Sequence, residues 1–122
     1  MATQARRLVS GIDNVHIYVR DMGRSRAFYE GVLGIPFEGD EHWLEARLGD
    51  VRFALHALSA SVEEISSGSI SLNFRVGDAD AAAERVRAAG YEVREAMREA
   101  YGTSFEVVDP DGYRIYLFQP SA

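Results

Sequence analysis

The chain has no cysteine and three histidines. Thiol nucleophiles, disulfides and cysteine metal sites are therefore excluded, and any metal would need His, Asp or Glu donors. Two of the histidines recur in the same kind of segment. His16 stands in Asn14-Val15-His16-Ile17-Tyr18-Val19, and His56 in Arg52-Phe53-Ala54-Leu55-His56. Each alternates with apolar residues as a half-buried strand does. An imidazole in such a place can serve as a general base, a hydrogen-bonding group or a metal ligand, which makes His16 and His56 the catalytic candidates. A metal held there would need a third donor, with Glu45 or Glu106 available. The plainer reading is a pair of hydrogen-bonding histidines. His42, in the turn Gly39-Asp40-Glu41-His42, reads as a surface residue.

Alternation extends the face that carries these histidines. If Val15, Ile17, Val19, Phe53, Leu55, Leu72, Phe74, Ile115 and Leu117 pack under helices, the opposite face presents their alternates. Those are Asn14, His16, Tyr18 and Arg20, then Arg52, Ala54 and His56, then Ser71, Asn73 and Arg75, and last Arg114, Tyr116 and Phe118. Leu44, Ala46 and Leu48 turn inward on one further strand and leave Trp43, Glu45 and Arg47 on the same face. An aromatic and polar surface with several arginines suits stacking on, and bidentate hydrogen bonding to, a flat oxygen-bearing molecule. The ligand-binding candidates are His16, Tyr18, Trp43, Arg52, His56, Asn73, Arg114, Tyr116 and Phe118. Their arginines favour an anionic or carboxylated ligand. Arg20, Arg47 and Arg75 lie toward strand ends, where a solvated or ion-paired role competes, and Trp43 and Phe118 could instead close a dimer interface or plug a cavity.

The elements that must position these residues come as a repeat. The strand ending Tyr18-Val19-Arg20-Asp21 is matched by Ser71-Leu72-Asn73-Phe74-Arg75-Val76-Gly77-Asp78. A helical stretch follows each Asp, with Ala27, Phe28, Val32 and Leu33 on one buried face and Ala79, Ala82, Ala83, Val86 and Ala89 on the other. Asp21 and Asp78 suit helix N-caps, and Gly34 and Gly90 suit the left-handed C-terminal position. Three strands are expected after each helix, near Pro36–Gly39, Trp43–Leu48 and Val51–Leu58, then near Tyr91–Arg98, Thr103–Val108 and Tyr113–Gln119. Gly49-Asp50 and Asp109-Pro110-Asp111-Gly112 read as hairpin turns.

At 122 residues the chain is expected to form one domain (1–122), because two separate cores of about 60 residues would be marginal. The halves, 13–58 and 70–119, should share a structure across a Ser- and Glu-rich linker at 59–69. The net charge of −6 argues against nucleic acid as a partner, since such binders present a basic surface. No run is long and apolar enough for a signal peptide or membrane span, so a cytoplasmic protein without a membrane partner is expected.

In this order the motifs resemble the vicinal-oxygen-chelate superfamily of glyoxalases, bleomycin-resistance proteins and extradiol dioxygenases. The marks are Val19-x-Asp21 with Ser25, Phe28-Tyr29 and Val32-Leu33-Gly34, then Phe74-Arg75-Val76-x-Asp78, and Asp109-Pro110-Asp111-Gly112 before the last strand. The resemblance implies an α+β fold in which two βαβββ modules form an open eight-stranded curved sheet around a cavity. It also implies a homodimer. Family enzymes hold a divalent metal with ligands from the first and last strand of each module, which here fall at Asn14, Ala54, Ser71 and Tyr116. Asn and Ser are weak ligands and Ala is none, so no metal cofactor is expected. The same likeness makes the strands of His16 and His56 neighbours. The function this implies is metal-free binding of a small aromatic or carboxylated compound for sequestration or carriage. The alternative is a glyoxalase- or dioxygenase-like enzyme with a displaced metal or a His general base.

Overall fold

The computed structural model describes residues 12–58 and 71–121; the expected linker, 59–69, lies outside them. The first half runs β1 (Asn14–Val19), α1 (Met22–Arg26, continued by a π-helical stretch over Ala27–Val32), β2 (Glu38–Gly39), β3 (Trp43–Leu48) and β4 (Val51–Ala57). The second runs β5 (Leu72–Arg75), α2 (Ala79–Ala88), β6 (Val93–Glu99), β7 (Gly102–Val108) and β8 (Arg114–Pro120). Hydrogen bonding divides the eight strands into two four-stranded sheets, ordered β1-β4-β3-β2 and β5-β8-β7-β6. In each, the first strand pairs parallel with the last and the other pairs are antiparallel. The repeat read from the sequence is therefore a repeat of topology.

Local chemistry sets the helix ends. The Asp21 carboxylate accepts from Arg24 N and that of Asp78 from Ala81 N, each at 3.0 Å. Capping of this kind satisfies one of the free first-turn N–H groups. Gly34 and Gly90 take φ of 79° and 91° where the helices end, a conformation with no steric cost only for glycine.

Two expectations about the helices need correction. Leu33 N reaches back to Phe28 O, a five-residue step that widens the coil and turns its face. The fully buried side chains are Ser25, Phe28 and Tyr29, while Ala27 is exposed. Ala89 is likewise exposed, because it is already the C-cap of α2. Strand ends also shift for local reasons. The second strand shortens to Glu38–Gly39, Pro36 having no N–H to donate. Strand β6 starts only at Val93, since Tyr91 N is still bonded to Val86 O of α2.

Ile17, Val19, Phe53 and Leu55 of the first sheet share one core with Val107, Ile115 and Leu117 of the second, sealed by Phe28, Tyr29 and Val86 from the helices. Phe53 meets Phe74 edge to face at 5.3 Å. One polar link crosses this core. Asp109, 4% exposed, accepts from Tyr29 Oη at 2.6 Å and from the backbone N–H groups of Asp111 and Tyr113 at 2.8 Å. Tyr113 Oη in turn donates to the Tyr18 carbonyl at 3.0 Å. Among the described residues no helix is long and apolar enough to cross a membrane.

Candidate functional site

The helix-side faces of both sheets supply most of the core, and the polar and aromatic alternates lie on the opposite faces. On the first sheet the parallel register sets His16 against Ala54 and Tyr18 against His56, and the antiparallel one sets Trp43 against His56. Ala54 has the smallest side chain of this set and is fully buried, leaving room for the rings around it to converge. His16 and His56 lie 5.7 Å apart between centroids. Tyr18 lies 5.4 Å from His16 and 4.9 Å from His56, and Trp43 lies 5.2 Å and 5.5 Å from them. All four are half-buried. The tilted and edge-on angles match the quadrupolar preference of aromatic pairs.

The polar groups around these rings fix them. Asn14 Nδ2 donates to Asp13 at 2.9 Å, which turns Asn14 Oδ1 toward His16 Nδ1 at 2.8 Å. His56 Nδ1 lies 2.7 Å from the Ala57 carbonyl. Trp43 Nε1 donates to Glu45 at 2.7 Å, and Arg52 lies between Glu45 at 3.3 Å and Asp13 at 3.7 Å. The Trp43 backbone is set by the turn before it. Asp40 accepts from His42 N and Trp43 N, bonds that hold its carboxyl below the usual value. Gly39, at φ 141°, allows the close approach of the Trp43 carbonyl.

The second sheet carries a separate face. Asn73, Tyr116 and Phe118 line a hollow of about 530 Å³ together with Ser71, Met97, Tyr101 and Ser104, all from the second half. Tyr116 Oη donates to Glu106 at 3.0 Å, which raises the tyrosine pKa. One Glu106 oxygen is buried without a hydrogen bond among the described residues, and Arg94 stands 3.6 Å from it. Tyr101 escaped sequence reasoning because it sits in a turn, and Met97 because the faces of β6 were not assigned from the sequence. Only the β6–β7 hairpin brings Tyr101 to 6.2 Å from Phe118.

The predicted ligand residues thus fall in two groups: His16, Tyr18, Trp43, Arg52 and His56 on one sheet, Asn73, Tyr116 and Phe118 on the other. The arginines do not converge. Arg20 pairs with Asp111 at 3.1 Å, Arg52 is held between two carboxylates, and Arg47 and Arg114 are exposed. Arg75 borders a different hollow. This groove of about 820 Å³ lies on the helix side and is walled mostly by apolar residues such as Val15, Leu33, Phe53, Leu72 and Phe74. It is the larger of the two hollows, and Asn73, Arg75, Asp78 and Arg85 add polar groups to its carbon walls; the ring cluster is preferred for a flat molecule because four aromatic side chains already converge there.

The four positions where the family resemblance puts metal ligands do not suit a cation. Asn14 Oδ1 is engaged by His16, Ala54 has no donor atom, Ser71 is exposed, and the Tyr116 hydroxyl is directed to Glu106. Glu45 is taken up by Trp43 and Arg52, and Glu106 belongs to the other sheet. Among the described residues no group of three or more His, Asp or Glu could hold a metal.

Residues 11–117 match the model of the Glyoxalase/Bleomycin resistance protein/Dioxygenase superfamily, and the chain belongs to that family. Solved structures agree on the fold. TnmS3, an antibiotic binding protein from Streptomyces sp. CB03234, is 24% identical with a TM-score of 0.75, over 95% of this chain and 100% of that one. The fosfomycin resistance protein FosX from Mesorhizobium loti is 23% identical with a TM-score of 0.72, over 93% and 95%. VPC_CASS1, from the mobile metagenome of V. pseudocholerae, is 28% identical with a TM-score of 0.74, over 96% and 99%. No curated protein matches.

Proposed function

We propose that this protein binds a small planar aromatic molecule without a metal, sequestering or carrying it. The cluster of His16, Tyr18, Trp43 and His56 carries this reading: four half-buried rings, three of them hydrogen-bonded to Asn14, Glu45 and a backbone carbonyl, on a face where the metal positions Asn14 and Ala54 offer no free donor. Ring faces so placed offer stacking area at low entropic cost. The antibiotic-binding relative of the same fold supports a binding role. A carboxylated ligand has weaker support, since Arg52 already has carboxylate partners and Arg114 is exposed. The enzyme alternative rests on the histidines alone.

Each half presents its own open face, so we also propose a homodimer that closes them. Native mass spectrometry of the purified protein, with elemental analysis, tests the reading. The expected result is a dimer carrying an organic ligand and substoichiometric metal. One tightly held ion per chain, lost on His16→Ala or His56→Ala, would replace it with a displaced metal site.

A further inference from the structure

Hydrogen bonds fix the tautomer of both histidines. A carbonyl oxygen only accepts, so the Ala57 carbonyl requires that His56 Nδ1 carry the proton. The same holds at His16. Asn14 spends its amide N–H on Asp13, so the atom facing His16 Nδ1 is the amide oxygen. In both neutral rings the proton sits on Nδ1, and Nε2 is left as a lone-pair acceptor. Neither Nε2 has a hydrogen-bond partner among the described residues.

The rest of the platform has the same polarity. One Glu45 oxygen accepts from Trp43 Nε1 and the other is ion-paired with Arg52, and Asp13 accepts from Asn14. Of the donors present, Trp43 Nε1 and the Nε and Nη1 groups of Arg52 face these carboxylates, and the Tyr18 hydroxyl can either donate or accept. Of the other arginines assigned to that face, Arg20 is paired with Asp111, and Arg47 is exposed and stands opposite Arg52, at the end of β3 away from Trp43. A ligand lying over the rings therefore meets two acceptors, Nε2 of His16 and of His56, beside one hydroxyl that serves either way, and a ligand that only accepts leaves both nitrogens unsatisfied at a cost.

We infer that the ring platform selects aromatic ligands that donate O–H or N–H hydrogen bonds to Nε2 of His16 and His56, such as phenols. This rests on the proposed aromatic binding and adds the polarity of the ligand. It reverses the preference for carboxylates that the arginine count suggested.

Calorimetric titration of the full chain with 1-naphthol, 1-methoxynaphthalene and 1-naphthoate tests it. All three offer the same stacking surface, and only the first donates. The expected result is that 1-naphthol binds about tenfold tighter than its methyl ether, the scale of one or two net hydrogen bonds, with the carboxylate weakest. In His16→Phe/His56→Phe the ratio of naphthol to ether affinity falls toward one, and the single variants lie between. Near-UV circular dichroism checks that each variant is folded, and the wild-type ratio stands without them. Equal binding of naphthol and ether, or tighter binding of naphthoate, overturns this inference and leaves aromatic binding intact. Binding of none of the three overturns the aromatic reading as well.

Discussion

Replacing Tyr29 by Phe removes one oxygen from a fully buried ring, and the structure gives the consequence a sign and a pH dependence. Asp109 Oδ1 accepts two backbone N–H groups, whereas Oδ2 accepts only from Tyr29. The variant leaves that oxygen buried without a donor, and an unsatisfied charged acceptor costs about 2–3 kcal/mol. For a domain of this size that is a fall in Tm of about 8–12 °C near neutral pH. Burial already raises the Asp109 pKa, against the pull of its hydrogen bonds. A raised carboxylate adds stability below its unfolded pKa and loses that gain as pH rises through the folded value. Without the Tyr29 donor the folded pKa climbs further, so the deficit of the variant should be largest near neutrality and shrink as pH falls and Asp109 protonates. Tyr29 itself stays protonated, its own pKa pushed well up by burial and by Asp109. Thermal or urea unfolding of both proteins from mildly acidic to neutral pH checks this. A deficit that does not change with pH would show that Tyr29 acts by packing alone and refute the reasoning.

Three further outcomes follow from the same contacts. Asp111 receives Arg20 N, the Arg20 guanidinium and Ser25 Oγ and is 5% exposed in its side chain, whereas Arg20 is 54% exposed. Asp111→Ala should therefore cost about 1–3 kcal/mol in chemical denaturation and Arg20→Ala less than about 1 kcal/mol. A Cβ on Gly39 would lie 2.0 Å from the Trp43 carbonyl oxygen. Gly39→Ala should lower Tm and, by moving Trp43, weaken aromatic binding in calorimetry. Asp78→Ala removes the cap of α2 and should cost about 1 kcal/mol, measured by urea unfolding.

What was legible in the sequence was what neighbours along the chain decide. Asp21 and Asp78 cap helices because a carboxylate three residues before a free N–H suffices. Gly34 and Gly90 end them because only their own φ matters. Strict alternation put His16, Tyr18, Trp43 and His56 on one face, because a strand has a period of two whatever packs on it. Tertiary contacts decided the rest. The π-helical widening that buries Tyr29 and exposes Ala27 comes with a tyrosine that must reach Asp109, eighty residues on. Asp109-Pro110-Asp111-Gly112 reads as a turn, and nothing local shows that its two carboxylates tie the halves together. Alternation gave the arginines a face but no partner, so Arg52 looked available when Glu45 and Asp13 already engage it, whereas Arg20, at its strand end, takes the ion-paired role with Asp111.

Trp43, the only tryptophan, stands in the ring cluster and reports directly on the central claim, that this face binds an aromatic molecule without a metal. A planar phenolic ligand with little near-ultraviolet absorption overlap, titrated in excess chelator, should change Trp43 emission saturably and with the same midpoint after divalent zinc, nickel, manganese or iron is added back. No change in chelator, with saturable binding appearing only once a metal is restored, would contradict the account.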